Sequence, residues 1–550
     1  MRKVPIVIIG GGPVGMVLAL LLDQLGARSL IINKETESRW HPKGNTHNSR
    51  TMEHYRRLGL SKSIRSFGLP KEHPTDVGYF TSLAGFEVAR IRMPSEAQKM
   101  RDLENARATE QIVEPIFRCN QMYVERFLYE QIHLAKNVEC KFGWECVDWQ
   151  DRGDSVQVQM VEVATGRPDI IECDYLVGCD GGNSIVRRKL GIRYSGDPHQ
   201  ELAWAGGLTA STFLHAPDLY RKAIRKPLCW QYMVSNPRVR ANFVALDGKG
   251  LFLFSTRLIA KENEKEKEVI DRRLRLCIGA EVDFEYLGHF SWTAGQGLVA
   301  DSYGSGRVVM AGDAVHLFTP QGGFGMNTGI DDVANLAWKL AALVQGWGGR
   351  NLLNSYSEER QPVAMRNTRA AQQMARRIGT EPVADEIEAT TLAGEQARRK
   401  AAEFYMKFTE TYASLGIQLG ARYDSSSVIV HDGLAPPDNH EQYIPTGSPG
   451  GRAPHVWLAK NQSLFDRFGR GFTLLCLSSN ANRATEFQNR AKDRGVPLDT
   501  LPVHSNDARQ LYEADFALIR PDQHVAWRGN TFPANVNGLV ATVTGHHERV

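Results

Sequence analysis

The feature that most constrains this chain lies at its start. Val4 to Ile9 is a short β-branched apolar run that breaks at once into Gly10-Gly11-Gly12-Pro13-Val14-Gly15. Val14, Leu18, Leu21, Leu22 and Leu25 then recur at helical spacing, Gly26 is placed to end that helix, and Ser29-Leu30-Ile31-Ile32 reads as a second strand. A G-x-G-x-x-G run inside a strand–helix–strand unit is the setting in which such glycines bind a dinucleotide. They permit the tight turn and let a pyrophosphate approach the backbone at the positive end of the helix. Gly10, Gly12, Pro13, Val14 and Gly15 are therefore expected to hold a dinucleotide phosphate. At the end of the second strand, where an acidic residue usually takes the ribose hydroxyls, stand Asn33 and Lys34, with Glu35 next. The Asn33 amide can still hydrogen-bond a ribose.

Two later segments repeat one pattern, a strand that ends in a glycine-flanked aspartate. The first is Tyr175-Leu176-Val177-Gly178-Cys179-Asp180-Gly181, and the second is Val308-Val309-Met310-Ala311-Gly312-Asp313. Ligands of open α/β sheets sit beyond the carboxyl ends of strands, so three such ends can converge on one cofactor. After Asp313 comes Thr319-Pro320-Gln321-Gly322-Gly323-Phe324-Gly325-Met326-Asn327, then an apolar helical pattern through Ile330, Val333, Leu336, Ala337, Leu340 and Val344. A helix opened by glycines leaves backbone N–H groups free and a positive dipole end.

Taken together these segments resemble the class A flavoprotein monooxygenases, the p-hydroxybenzoate hydroxylase-like family, over nearly the whole chain. The resemblance implies FAD held by the first glycine turn, by Asp180 of the Cys179-Asp180-Gly181 stretch and by Gly312-Asp313. It also implies FAD contacts from Lys43, Arg50 and Gln121, and a flavin ring near Pro320, Gly323, Gly325, Met326 and Asn327. Many members carry arginine where this chain has Lys43, so a bidentate contact becomes a point charge. NADPH or NADH is implied as the reductant and O2 as the oxidant, the oxygen reaching a phenolic ring through a flavin C4a-hydroperoxide. With one G-x-G-x-x-G in the chain, NAD(P)H is expected to bind without a Rossmann domain of its own. The segments Gln418 to Tyr423 and Arg452 to Trp457 lean toward the phenol and chlorophenol hydroxylase branch, favouring a small phenolic or a fused-ring phenol.

At 550 residues, with 42% hydrophobic and 23% charged, two or three globular domains are expected. The fold implied is α/β. A discontinuous Rossmann-like FAD-binding domain takes 1–75, 105–195 and 293–365, and a β-rich substrate domain takes 76–104 and 196–292. Connecting helices occupy 366–447, and a thioredoxin-like domain lacking C-x-x-C occupies 448–550. The eight cysteines form no C-x-x-C pair or zinc spacing, so reduced thiols, no metal site and a cytoplasmic location are expected. The net charge of +4 is spread along the chain rather than gathered in a nucleic-acid-binding stripe, and Lys261 to Glu268 reads as a solvated helical face. No apolar stretch of about 18 residues is present to span a membrane. The C-terminal domain is read as structural or dimer-forming, supplying no chemistry, and a homodimer is expected.

The group that removes the substrate proton is not legible. His47, His215, Tyr232 and His289 are candidates by residue type and region, and Pro320, whose carbonyl faces substrate in the family, is another. Asn45 stands near the position of the family's phenol-binding aspartate. A flavin-dependent halogenase would carry W-x-W-x-I-P, and no tryptophans here are so spaced. A non-enzymatic FAD-binding or scaffolding protein is the alternative reading.

Overall fold

The computed structural model describes residues 2–198, 207–258, 266–378, 383–412, 414–433, 435–478 and 484–546. Of the charged run beginning at Lys261, residues 261–265 lie outside these, and the helix Glu266–Ile278 takes up the rest. The first strand, β1 (Arg2–Ile9), is followed by the helix α1 (Pro13–Gln24) and the strand β2 (Ser29–Asn33). β1 lies between β2 and the strand Pro168–Gly178, parallel to both. Its apolar run suits that place, since a central parallel strand is covered on both faces and Ile6, Val7 and Ile8 are fully buried. The strand Val308–Met310 joins on the far side of Pro168–Gly178, also parallel. Ile9 pairs with Gly178, and Gly178 with Met310, so the three motif-bearing strands end side by side. The turns after them open at one place.

A second, seven-stranded sheet runs in the order Glu285–Ala294, Gly207–His215, Leu251–Arg257, Val239–Ala245, Gln231–Asn236, Val77–Phe80 and Glu87–Ile91. Its strands come from two separated stretches of sequence. Alternation gives it two different faces. Tyr232, Val234, Phe243 and Phe254 form a core with Ile270, Leu274 and Cys277 of the helix Glu266–Ile278. Met233, Asn242, Val244, Leu253 and Ser255 point the other way, toward the strand ends of the first sheet.

The connecting region is helical only in part. The helix Asn351–Ile378 is followed by Leu392–Tyr405 and a short turn at Leu415–Leu419, after which 420–456 is mostly irregular. Its prolines and glycines, Gly433, Pro436, Pro437 and Gly447 among them, account for the departure from the expected helices. The C-terminal unit is the expected thioredoxin-like arrangement. Its strands lie in the order Leu498–Pro502, Phe472–Cys476, Phe516–Ile519 and Val525–Gly529, with the first pair parallel and the others antiparallel. Its core is continuous with Trp338, Trp347 and Leu352 of the catalytic body, so it is packed on that body and not tethered beside it.

Candidate active site

Between the aligned strand ends and the inner face of the second sheet lies an open cleft of about 1020 Å³. At its nucleotide end the glycines divide the work. Gly10 has φ +110°, and a Cβ there would sit 2.2 Å from the Cys179 carbonyl oxygen. A Cβ on Gly15 would meet the Gly10 carbonyl oxygen at 2.1 Å, so this glycine lets α1 pack against the turn. Gly12 has open space around it and faces the cleft. It caps α1 with no side-chain acceptor, Pro13 follows, and the first turn carries no acid. The amide groups there are left for an anion. The Gly11 N–H donates to Asn33 Oδ1 (3.1 Å), so Asn33 braces the turn as well as lining the cleft beside Lys34.

Asp180 lies next along the cleft. Its Oδ2 accepts from the Ile185 N–H (2.8 Å), while Oδ1 is buried with no partner, and burial raises the carboxyl's pKa. Asp313 faces the cleft from the turn Gly312–Ala314. It is open to the cleft by surface area yet ringed by protein. Burial raises its pKa too, against the opposing pull of His316 and Lys43. Lys43 and Gln121 line the same stretch, and the Gln121 N–H donates to the Gly44 carbonyl (2.7 Å), tying the two segments together.

At the far end Pro320, Gly323, Gly325 and Met326 line the wall. Gly322 (φ +77°) and Gly323 (φ +65°) both take the left-handed conformation, and the 21-residue helix Phe324–Val344 starts directly after them. The Pro320 carbonyl accepts from the Gly323 N–H (3.2 Å), which closes the turn.

The site fits a dinucleotide-linked flavin. It offers a bare helix N-terminus for phosphate, two carboxylates for hydroxyls, one with a buried oxygen still unpartnered, and a second bare helix end where a ring can lie. Among the described residues no three His, Cys, Asp or Glu side chains are grouped to hold a metal.

Several residues chosen from sequence stand elsewhere. Arg50 is buried away from the cleft, where it pairs with Glu53 (2.9 Å) and donates to the Asp522 carbonyl (2.7 Å). Asn327 Nδ2 donates to the Thr46 carbonyl (3.0 Å) and its Oδ1 accepts from the Asn48 N–H (2.9 Å), so it shapes the loop from behind. Gly15 and Gly312 act in packing and do not reach the cleft surface. Gly312 has φ +65° and lies against Val14.

Of the proton-removing candidates only Pro320 lines the cleft; His47, His215, Tyr232 and His289 do not. His47 is fully buried between Tyr55 and Phe117, and burial pulls its pKa down to about 3. Tyr232 falls on the wrong face of its strand, where its hydroxyl accepts from the Cys229 N–H (2.9 Å). His215 is exposed at a strand end, 3.8 Å from Glu285. His289 also points outward and contacts Thr212 Oγ1 (3.1 Å), while its neighbour Phe290 takes the cleft side. Conversely, Arg118, Trp230 and Tyr412 line the cleft without having been singled out. Arg118 lies three residues before Gln121, and that proximity was the one signal for it.

These features define an α/β protein with a dinucleotide-binding turn and an open cleft between its glycine-rich loops and a β-sheet. Residues 3–371 match the FAD binding domain family and residues 446–546 the aromatic-ring hydroxylase C-terminal family. The chain belongs to this family of FAD-dependent aromatic-ring hydroxylases. It is 28% identical to the FAD-dependent monooxygenase apdD of Emericella nidulans, over 96% of this chain and 87% of that one. The 2,4-dichlorophenol 6-monooxygenase of Cupriavidus pinatubonensis is 26% identical, over 97% of this chain and 94% of that one. A structure of RebC soaked with chromopyrrolic acid and holding 7-carboxy-K252c superposes with a TM-score of 0.88 at 32% identity, covering 99% of both chains. The chain is thus an FAD-dependent monooxygenase of an aromatic substrate, with NAD(P)H and O2 as co-substrates.

Proposed function

We propose that the substrate is an extended, multi-ring phenol. The observation that carries this reading is the shape of the cleft, which continues past the flavin-binding loop along the inner face of the seven-stranded sheet. Met233, Val244, Leu253 and Trp292 supply apolar surface there, and Asn242, Ser211 and Ser255 supply hydrogen-bonding edges. A cleft of about 1020 Å³ is at the upper end of ligand pockets, as a site for both a dinucleotide and a multi-ring substrate would be. The likeness to RebC with 7-carboxy-K252c bound supports the same choice.

FAD, once reduced by NAD(P)H, supplies the oxygen activation and the transfer of one oxygen atom to the ring. The chain's own residues do the rest. Gly12 and the start of α1 bind the pyrophosphate, while Asp180 and Asp313 accept from hydroxyls of the cofactor. Asn33 and Lys34, Lys43 and Gln121 complete that contact surface. The bare N-terminus of the helix Phe324–Val344 stabilises negative charge on a ring placed against Gly323, Gly325 and Met326. The substrate hydroxyl donates to the Pro320 carbonyl, with Thr319 Oγ1, buried and unpartnered, beside it. Met233, Val244 and Phe318 exclude water from the reacting face. A cytoplasmic location agrees with the need for NAD(P)H and with eight free cysteines. A homodimer agrees with exposed Val147, Val163 and Ile170 on the antiparallel extension of the first sheet, and light scattering of the purified protein tests it.

The test of function is NAD(P)H oxidation and O2 uptake against phenols of one to four rings. Multi-ring members are expected to accelerate both and to gain one oxygen atom. Turnover confined to single-ring phenols, or hydrogen peroxide as the sole product, would overturn the reading.

A further inference from the structure

Arg118 is a buried cation without a counter-ion. Its side chain is on the cleft wall although the residue is only 6% exposed. A guanidinium has five N–H donors in a rigid fork. Nη1 donates to Thr46 Oγ1 (2.6 Å) and Nη2 to the Tyr412 carbonyl (2.7 Å), both neutral acceptors. Among the described residues no carboxylate pairs with it, whereas the buried arginines Arg50, Arg65, Arg360, Arg452, Arg520 and Arg528 each have at least one; Arg187, also held by neutral acceptors, is not on the cleft wall. A buried charge left unpaired is costly, so a site that keeps one gains when a ligand supplies the opposite charge. Burial pulls the Arg118 pKa down to about 10, with only Tyr412 opposing, a level at which the group stays cationic at neutral pH.

The surroundings say where that ligand lies. The guanidinium stacks on the Trp230 ring, 4.6 Å from its centroid, which holds the fork in one plane at the edge of the second sheet. On the other side Thr46 packs against Gly323 of the flavin-binding loop. Arg118 therefore bridges the loop and the sheet. A second group points to a ligand independently: Thr411 Oγ1 is buried on the cleft wall, beside Tyr412, with no partner. A planar fork and an adjacent hydroxyl match a carboxylate, which takes two parallel N–H bonds and one O–H bond.

We propose that Arg118 and Thr411 form a carboxylate subsite, so that the preferred substrate is a phenol bearing a carboxylate on its ring system. This rests on the reading of the cleft as an aromatic substrate site. Arg118 fixes how far the carboxylate end reaches, and with it which ring carbon lies over the flavin loop.

The test uses FAD-loaded enzyme and matched pairs of one-, two- and three-ring phenols with and without a carboxylate, such as 1-hydroxy-2-naphthoate and 1-naphthol. Binding is read from the perturbation of flavin absorbance. The wild type is expected to bind the carboxylated member of at least one pair tenfold or more tightly. Arg118→Met is expected to abolish that preference while shifting the Kd of the uncarboxylated member less than threefold, and Arg118→Lys to keep part of it. Absence of a carboxylate preference in the wild type, whether both members bind alike or neither binds, overturns the proposal. So does a preference that survives in Arg118→Met. Flavin bleaching by NAD(P)H under anaerobic conditions is measured alongside. If it proceeds and multi-ring phenols are hydroxylated without the preference, the carboxylate subsite fails while the proposed function stands.

Discussion

Removing the Arg520 side chain tests how the C-terminal unit is held to the catalytic body. Arg520 donates to both oxygens of Glu359 (2.6 and 2.9 Å), and its Nε donates to Asp522 (3.1 Å). Glu359 also takes Lys339 (2.7 Å), and Arg520, Lys339 and Glu359 are all fully buried. In the wild type the two carboxylates of Glu359 and Asp522 are balanced by the cations of Arg520 and Lys339. Arg520→Ala leaves one buried negative charge in excess. Breaking a buried pair in this way costs about 3–5 kcal/mol. At roughly 2 °C per kcal/mol for a cooperative unit of ~200 residues, the expected fall in Tm at neutral pH is about 6–10 °C. The pH dependence has a definite sign. Burial alone would raise the Glu359 pKa, but Arg520 and then Lys339 overcome it and hold it down at about 2. A depressed carboxylate contributes stability above its unfolded pKa, and loses it as pH falls toward the folded value. Without Arg520 the folded pKa rises, so protonation relieves the excess charge and the deficit against wild type narrows between neutral pH and about 4.5. Differential scanning fluorimetry at pH 7.5 and 4.5 reads both effects, and Arg520→Lys should lie between. A variant within about 1 °C of wild type at neutral pH, or a deficit unchanged by pH, would refute the reasoning.

Asp313→Ala removes an acceptor from cofactor hydroxyls in a charge-assisted bond of about 1.5–3 kcal/mol, so FAD affinity should fall tenfold or more in a folded protein, read by equilibrium dialysis. Gly10→Ala and Gly12→Ala separate fold from ligand: the first should lower apoprotein stability through its 2.2 Å clash, the second should leave it unchanged yet weaken FAD binding. Equal Tm shifts in the two would argue against their assigned roles. Tyr232→Phe should retain hydroxylation and lose only about 1 kcal/mol of stability, that of its bond from Cys229, and a loss of turnover with normal folding would return Tyr232 to the site. Truncation near Gly447 strips Arg452 from Glu53 and Arg520 from Glu359, so soluble FAD-loaded protein should not be recovered; recovery of it would show those pairs to be dispensable.

The nucleotide end of the site was legible because its chemistry is backbone chemistry. A glycine turn, its strand and its helix are local in sequence, and the register of three strand ends follows once each strand is recognised. Side chains were less legible. Tyr232 and His289 sit in strands, and a one-residue change in position decides which face a side chain takes. Met233 and Phe290, their neighbours, are the ones in the cleft. Arg50 and Asn327 lie in segments that do shape the site, yet their partners are Gln523, Asp522, Thr46 and Asn48, contacts that all span hundreds of residues of chain. No local spacing encodes such a partner. Arg118 was missed for the complementary reason: a cation is read from sequence as paired or solvated, and only packing reveals that it is neither.

The same packing gives the C-terminal unit a part in the site without any group of its own there. Asp332 accepts from the Gly312 N–H (3.3 Å) and contacts His316 Nε2 (2.7 Å), so it fixes both sides of the Asp313 turn. Arg360 holds Asp332 (2.9 Å) and Asp331, and it follows Glu359 directly on the helix Asn351–Ile378. Glu359 in turn is clamped by Arg520 of the C-terminal sheet. Asp331 and Asp332 stand on the helix Phe324–Val344, whose first residue opens at the flavin loop. A buried carboxylate keeps its position only while its counter-charges keep theirs, and here the outermost counter-charge is contributed from beyond residue 448. The supports of the Asp313 turn and of the helix Phe324–Val344 therefore reach across the boundary between the two units. This contiguity explains why a unit with a single cysteine is packed on the catalytic body through fully buried charges as well as apolar contacts.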